Sequence, residues 1–364
     1  MTSSWPRHVD VAIVGGGPAG CATALSLRTH APSLSIVVIE ASRYDTPRIG
    51  ETLPPAARPL LEHLGVWSAF RAQKHRVVHG TAAAWGAPLP LDNDFLFMAR
   101  GPGWHLDRAA FDSMLARECE SRGVVLLREA QVQDAEQDAH GWRLSIGEPA
   151  LSARFLVDAA GSAARFARRC GANVVAADHL LGFARFFAHD TPGDGRTVVE
   201  AFADGWWYTA GLPDGRRVAA CMTDADLARS MHLADAEVWD RMLESMPVMH
   251  SVMRDALPCS AIVVRPSESH HLDIAAAEEW LAVGDAASTF DPLSSQGILK
   301  ALREGVFASY AIGDWLTRGD ATGLHRYRRF IRAEFDSYRE TRTKYYREEQ
   351  RWPSHEFWRR RHSA

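Results

Sequence analysis

The sequence predicts an α/β fold with an antiparallel sheet interleaved into it and a helical segment at the C-terminal end. Three features carry that prediction: a glycine-rich turn between a strand-like and a helix-like run at residues 13–27, a mid-chain hairpin around Asp214-Gly215, and a strand, turn and long helix spanning Trp280 to Ser309.

The first feature is the most specific. "VDVAIV" is the β-branched run expected of a strand buried on both faces, and "AGCATALSLRTH" has apolar residues at helical spacing. Between them Gly15, Gly17 and Gly20 fit G-x-G-x-x-G, in which the first glycine makes the turn, the second admits a pyrophosphate to the backbone, and the third lets helix pack on strand. A second apolar run, "LSIVVIE", ends in Glu40, about 20 residues on, where an acid meets a ribose hydroxyl. Strand, turn, helix, strand and acid in this order predict a dinucleotide site, with phosphate at the helix N-terminus.

Composition narrows the class. At 364 residues the chain exceeds the usual size of one core. Its 46% hydrophobic and 24% charged residues are those of an ordinary globular protein, and a net charge of −4 gives no reason to expect nucleic acid. The arginine-rich stretch Arg326–Arg361 reads as a solvated helix face. No apolar run approaches a membrane span, and the first strand starts too early for a signal peptide. The scattered thiols Cys21, Cys119, Cys170, Cys221 and Cys259 point to a reducing, cytoplasmic setting, and no residues have metal-ligand spacing.

Four later stretches decide between a nicotinamide and a flavin: "RIGETLPPAARPLLEHLGVW" from Arg48, "GWHLDRAAFDSMLARECESRGVVLL" with Arg108, "FLVDAAGSAARFARRCGA", and "WLAVGDAASTFDPLSSQGILKALREGVFAS" with its Gly284-Asp285 turn. With these the chain resembles the FAD-dependent monooxygenases of the p-hydroxybenzoate hydroxylase type, and within them the tryptophan-halogenase-like branch. The resemblance implies a glutathione-reductase-type FAD-binding Rossmann domain at 1–80, 100–180 and 275–320. It also implies an antiparallel-sheet substrate domain at 81–99 and 181–274, and a helical tail at 321–364. Gly15, Gly17, Ala19, Gly20, Glu40, Arg48, Arg108, Asp285, Pro292, Gly297 and Ile298 are then the expected FAD-binding residues. Arg108 lies near the pyrophosphate, Asp285 at the ribityl–phosphate region, and Pro292 to Gly297 along the isoalloxazine. A surface ion pair on its helix is the alternative for Arg108.

The covering sheet is legible in "FARFFAHD" and in "GWWYTAGLPDGRRVAACMT", two strands joined by a hairpin turn. Alternation puts Trp206 and Tyr208 on one face and Trp207 on the other. Phe187, Trp206 and Tyr208 are the expected substrate-pocket residues, with Phe186 and Trp207 as further candidates.

Halogenases of the resembled branch carry a lysine, a W-x-W-x-I-P stretch and a loop E-P-L-E-S-T-G. Here the aligned stretch runs Trp206-Trp207-Tyr208-Thr209-Ala210-Gly211, the loop runs Asp291-Pro292-Leu293-Ser294-Ser295-Gln296-Gly297, and the lysine position falls near Val77. All three departures favour oxygen transfer through a flavin C4a-hydroperoxide over halogenation. Ser294, Ser295 and Gln296 are the flavin-adjacent catalytic candidates, without assigned roles, and backbone N–H groups around Ser295–Gly297 are placed to support developing charge.

Together with the tail "YYREEQRWPSHEFWRRR", these motifs most resemble the LodB/GoxB-type flavoproteins that mature tryptophan-derived quinone cofactors. That resemblance implies a protein substrate bearing a tryptophan. Reduction then comes from NAD(P)H directly or from a separate flavin reductase. A halogenase, a hydroxylase of a small aromatic metabolite, and a non-catalytic escort protein stay open as alternatives.

Overall fold

The computed structural model describes residues 6–46, 48–95, 101–147, 150–189 and 195–363. The ends of several sequence-predicted segments, including 96–99 of the substrate domain, lie outside the described residues.

The strand His8–Val14 is central to an eight-stranded sheet, and Val11, Ala12 and Ile13 are fully buried in it. Ile36–Ile39 and Leu151–Asp158 flank it in parallel, followed outward by Val125–Leu127 and Trp280–Ala282, also parallel. Such doubly covered strands suit the near-continuous Val and Ile runs seen here. An antiparallel pair, Asp134–Asp138 and Gly141–Ser145, extends from Leu151–Asp158.

The helix Pro18–His30 begins with proline at its first position, where the missing N–H costs nothing. Every residue from Ala19 to Leu27 is buried, because the sheet covers one side and the helices Arg108–Ser121 and Gly297–Arg318 cover the others. Gly305 makes the last contact close: a Cβ there would lie 2.7 Å from the Ala19 carbonyl oxygen.

A second eight-stranded sheet runs in the order Leu257–Pro258, Leu180–Ala188, Arg216–Asp224, Gly205–Gly211, Thr197–Phe202, Gly80–Ala84 and Leu91–Asp94, with Val263–Pro266 added beside Leu180–Ala188. Strands from 80–94 thus join strands from 180–266 in one sheet. It is not wholly antiparallel: Gly80–Ala84 pairs parallel with Thr197–Phe202, because the chain returns to this sheet only after crossing the first.

The two faces of this sheet bury different clusters. One holds Phe183, Phe187 and Trp207 against Trp239 and Met249 of the short helices that follow. The other holds Phe186, Trp206 and Tyr208 against Tyr346, Phe357 and Trp358, with Ile49 and Leu293 at its margin.

The C-terminal segment forms the helices Thr322–Glu348 and Glu356–His362. It is not simply a solvated face. Arg342 and Arg361 are buried, each paired with aspartates from distant segments, Asp178 and Asp291 for the first and Asp224 for the second.

Candidate active site

Gly15, Gly17, Ala19 and Gly20 lie together at the turn from strand to helix. Gly15 has φ +112°, and a Cβ there would fall 2.1 Å from the Ala159 oxygen, so only glycine fits. A Cβ on Gly20 would lie 2.0 Å from the Gly15 oxygen, which is the close helix–strand contact expected of the third glycine. Gly17 differs from both. Its backbone is extended, at φ −75° and ψ −174°, and a Cβ there meets nothing within 4 Å. Neither strain nor packing requires glycine at that point, and the open space lies at the helix N-terminus.

Glu40 closes the second strand and is 7% exposed. Its Oε2 accepts the Gly16 N–H at 2.8 Å, and its Oε1 accepts from Ser42 N–H, Ser42 Oγ and Arg48 Nη2. Arg48 also donates to Asp112 at 3.0 Å. Asp112, fully buried, takes two further bonds from Arg108, at 3.2 and 3.1 Å. Arg108 is therefore ion-paired on its own helix, yet the pair is interior, and Nη1 reaches the carbonyls of Ile49 and Gly50. Asp112 escaped the sequence reading, although "RAAFD" places it four residues after Arg108, the spacing of a helical ion pair. It fixes the two arginines side by side.

The Gly284–Ala286 turn sits against this cradle, since a Cβ on Gly284 would lie 2.7 Å from that of Ala19. Asp285 is exposed, and its carboxylate lies 3.6 Å from the Lys300 ammonium. Lys300 is fully buried and donates to the Ser288 carbonyl, with Glu304 3.5 Å away. Glu304 in turn accepts the Gly284 N–H at 2.6 Å. Burial pushes the Glu304 carboxyl up to about 7, against the pull of Lys300. The folded chain thus holds this proton more tightly than the unfolded chain, whose value is 4.5. Its contribution to stability is full below 4.5 and falls as pH rises to about 7. Glu304→Gln is expected to flatten that decline, by at most about 3 kcal/mol, in denaturant unfolding followed across the same window.

The Asp291–Gly297 loop joins this turn to the long helix. Asp291 is fully buried, and its carboxylate accepts from Leu293 N–H, Arg342 Nε and the Tyr346 hydroxyl. Its own N–H donates to the Tyr338 hydroxyl at 2.7 Å. Tyr338, Arg342 and Tyr346 come from the C-terminal helix, four residues apart and so on one face. That periodicity is visible in the sequence, but its target is not.

Pro292 to Gln296 are half-buried, and Gly297 is exposed. Ser294 donates to the Asp291 carbonyl at 2.9 Å and accepts the Gln296 N–H, a turn-closing role. Ser295 adopts a left-handed conformation, φ +50°, and its N–H turns back to the Pro292 carbonyl. The N–H groups of Ser295 and Gln296 are therefore used within the loop, contrary to the expectation that they face a ligand. The donors left without an intrahelical partner begin at Gly297, the first helical residue, followed by Ile298. A Cβ on Gly297 meets nothing within 4 Å, as at Gly17.

Of the expected pocket residues, Tyr208 shares the face that carries Ile49 and Leu293. Phe187 does not: it stacks on Trp239 at 5.9 Å on the opposite face, because the strand register turns Phe186 toward the loop instead. Trp206 is on the loop side but 1% exposed, covered by the tail, with its N–H on the Tyr346 hydroxyl at 3.0 Å. Val77, at the position of the halogenase lysine, is 46% exposed.

These features meet in the comparison with known proteins. The FAD binding domain family matches residues 8–333. The chain belongs to that family. It is an FAD-dependent oxidoreductase, similar over its length to the LodB protein of Marinomonas mediterranea, which is named as an FAD-dependent oxidoreductase. The two are 30% identical over 362 residues, covering 97% of each. The fold matches that of CmlS, a flavin-dependent halogenase, with TM-score 0.87 and 25% identity over 97% of this chain and 67% of that one. It also matches QhpG, a peptidyl tryptophan dihydroxylase essential for tryptophylquinone cofactor biogenesis, with TM-score 0.76 and 24% identity over 97% and 78% of the two chains. That last likeness bears on the fold alone.

The residues present fit FAD. Open space at Gly17 and Gly297 lies at two helix N-termini. Arg48 is tied to the first turn through Glu40, which accepts from both Arg48 Nη2 and the Gly16 N–H, and Asp112 holds Arg108 beside Arg48. Among the described residues, no group of His, Cys, Asp and Glu is arranged to hold a metal ion, and no helix is long and apolar enough to cross a membrane.

Proposed function

We propose that this flavoprotein is a monooxygenase that adds oxygen to the indole ring of a tryptophan within a partner polypeptide, during quinone cofactor biogenesis. The observation that carries the choice of oxygen over halogen is the state of the loop and its surroundings. Ser294, in place of the halogenase glutamate, is spent on closing the turn, and Val77 stands in place of the lysine. Lys300, near the loop, has its ammonium turned onto Ser288, Asp285 and Glu304. The substrate class rests on the motifs that resemble the LodB/GoxB-type flavoproteins and on the full-length similarity to LodB; QhpG, which shares the fold, is itself described as acting on peptidyl tryptophan.

In this reading Gly15, Gly17, Ala19 and Gly20 cradle the pyrophosphate, and Glu40 holds the ribose. Arg48 and Arg108, held in place by Asp112, offset the phosphate charge. Asp285 meets the ribityl chain, and Pro292 to Ile298 line the ring system. The flavin domain comprises 1–80, 100–180 and 275–320, the substrate domain 81–99 and 181–274, and the tail 321–364. Reduced FAD supplies the two electrons that activate O₂. The chain's own residues orient the acceptor ring and keep water out: Tyr208, Phe186, Ile49 and Leu293 form the apolar wall, and the tail closes the adjoining face. Electrons reach the flavin from NAD(P)H or a separate reductase.

The test is substrate class. With FAD, reductant and O₂, an unmodified partner is expected to gain oxygen on one tryptophan peptide by mass spectrometry, while free tryptophan gives little product. Efficient oxidation of free indoles with every partner polypeptide untouched would remove the peptidyl substrate and leave only the monooxygenase.

A further inference from the structure

We propose that Tyr346 is a positioning residue that ties the covering sheet to the flavin loop and, through Asp291, holds that loop in place beside the flavin. This rests on the monooxygenase assignment above. Its basis is a continuous hydrogen-bond chain. The Trp206 indole N–H donates to the Tyr346 hydroxyl at 3.0 Å, and that hydroxyl donates to Asp291 Oδ2 at 2.7 Å. Arg342 Nε reaches the same oxygen at 3.1 Å, and the Leu293 N–H reaches the other at 3.0 Å. Farther down the same helix, Tyr338 accepts the Asp291 N–H and shares a hydrogen bond with Ser269, both at 2.7 Å.

Trp206, Tyr346 and Asp291 are 1%, 1% and 0% exposed. Water therefore cannot replace a lost partner, and each member constrains the next. The loop needs such an external anchor. Its residues between Asp291 and Gly297 are half-buried, and Ser295 holds a left-handed conformation that persists only when its surroundings impose it. Asp291 is where that imposition enters, and Tyr346 is its only contact among the described residues that also touches the covering sheet's aromatic strand by hydrogen bond.

The Tyr346 ring is held independently of its hydroxyl. Trp85 meets it edge-on at 5.6 Å, Phe357 and Trp358 lie at 6.2 and 5.9 Å, and the Arg342 and Arg361 guanidinium groups lie 4.9 and 5.2 Å from its centroid. Tyr346→Phe accordingly removes the link and keeps the packing.

The experiment compares Tyr346→Phe, Trp206→Phe and the double variant as FAD-loaded proteins. Two quantities are read: the flavin absorption and fluorescence without substrate, and the share of consumed O₂ that leaves as hydrogen peroxide instead of entering product. Tyr346→Phe is expected to retain FAD, shift the flavin spectrum, and raise the peroxide share several-fold. Trp206→Phe is expected to do less, and the double variant to be no worse than Tyr346→Phe, because both cut one chain. An unshifted spectrum with unchanged peroxide share in Tyr346→Phe, or effects that simply add, would overturn the proposal. Should Tyr346→Phe not accumulate, a spectral shift in Trp206→Phe, whose change is farther from the loop, supports the link and its absence refutes it. If wild-type protein oxygenates no acceptor, the assigned reaction fails while the spectra still decide the coupling.

Discussion

Gly17→Val is expected to give a folded protein without flavin. The extended backbone at Gly17 is one that valine adopts readily, also before a proline, and its Cβ would meet no atom of the protein within 4 Å. The folding cost is that of a poor helix N-cap, about 1 kcal/mol. The branched side chain instead fills the space at the helix N-terminus through which a pyrophosphate approaches the backbone N–H groups. Circular dichroism should match the wild type while the yellow chromophore is absent after purification and after incubation with FAD. Gly15→Val is the contrasting variant: it collides with the Ala159 backbone and should not fold at all. A folded Gly17→Val that keeps full flavin would show that the phosphates lie elsewhere.

Asp224→Ala is expected to fold but to lose about 3–5 kcal/mol of stability. Asp224 receives two parallel bonds from Arg361, at 3.1 and 2.7 Å, and both side chains are 3% exposed. Truncation leaves a buried guanidinium whose remaining contacts are the Phe357 carbonyl at 3.0 Å and the Phe357 and Tyr346 rings, 3.5 and 5.2 Å from centroid to charge. The tail carrying Phe357 and Trp358 would then loosen from the aromatic face of the sheet, and tryptophan fluorescence should report it below the main unfolding transition. Arg360 also touches Asp224 but is 38% exposed, so Arg360→Ala should cost less than about 1 kcal/mol. Equal losses from both variants would contradict the burial argument.

What the sequence made legible follows from the range of the interactions. The glycine turn and Glu40 span fewer than 30 positions, and each residue's task is set by its neighbours along the chain. Asp112 was silent because its second partner, Arg48, is 64 positions away. Alternation along a strand separates Phe186 from Phe187 without revealing which of the two faces meets the loop. The arginines of the tail look like solvated charge until Asp178, Asp224 and Asp291 are brought to them by the fold. The same holds for Tyr338 and Tyr346, whose spacing announces a face and whose partner lies 47 and 55 positions upstream.

The central claim is that this site delivers oxygen, not halogen, to an indole ring. It is tested most directly by one mass spectrum of the tryptophan-bearing acceptor after reaction with reduced flavin under ¹⁸O₂ in the presence of bromide. The account predicts a peptide carrying ¹⁸O on its tryptophan and no bromine isotope pair. A brominated tryptophan, with or without added oxygen, would contradict it.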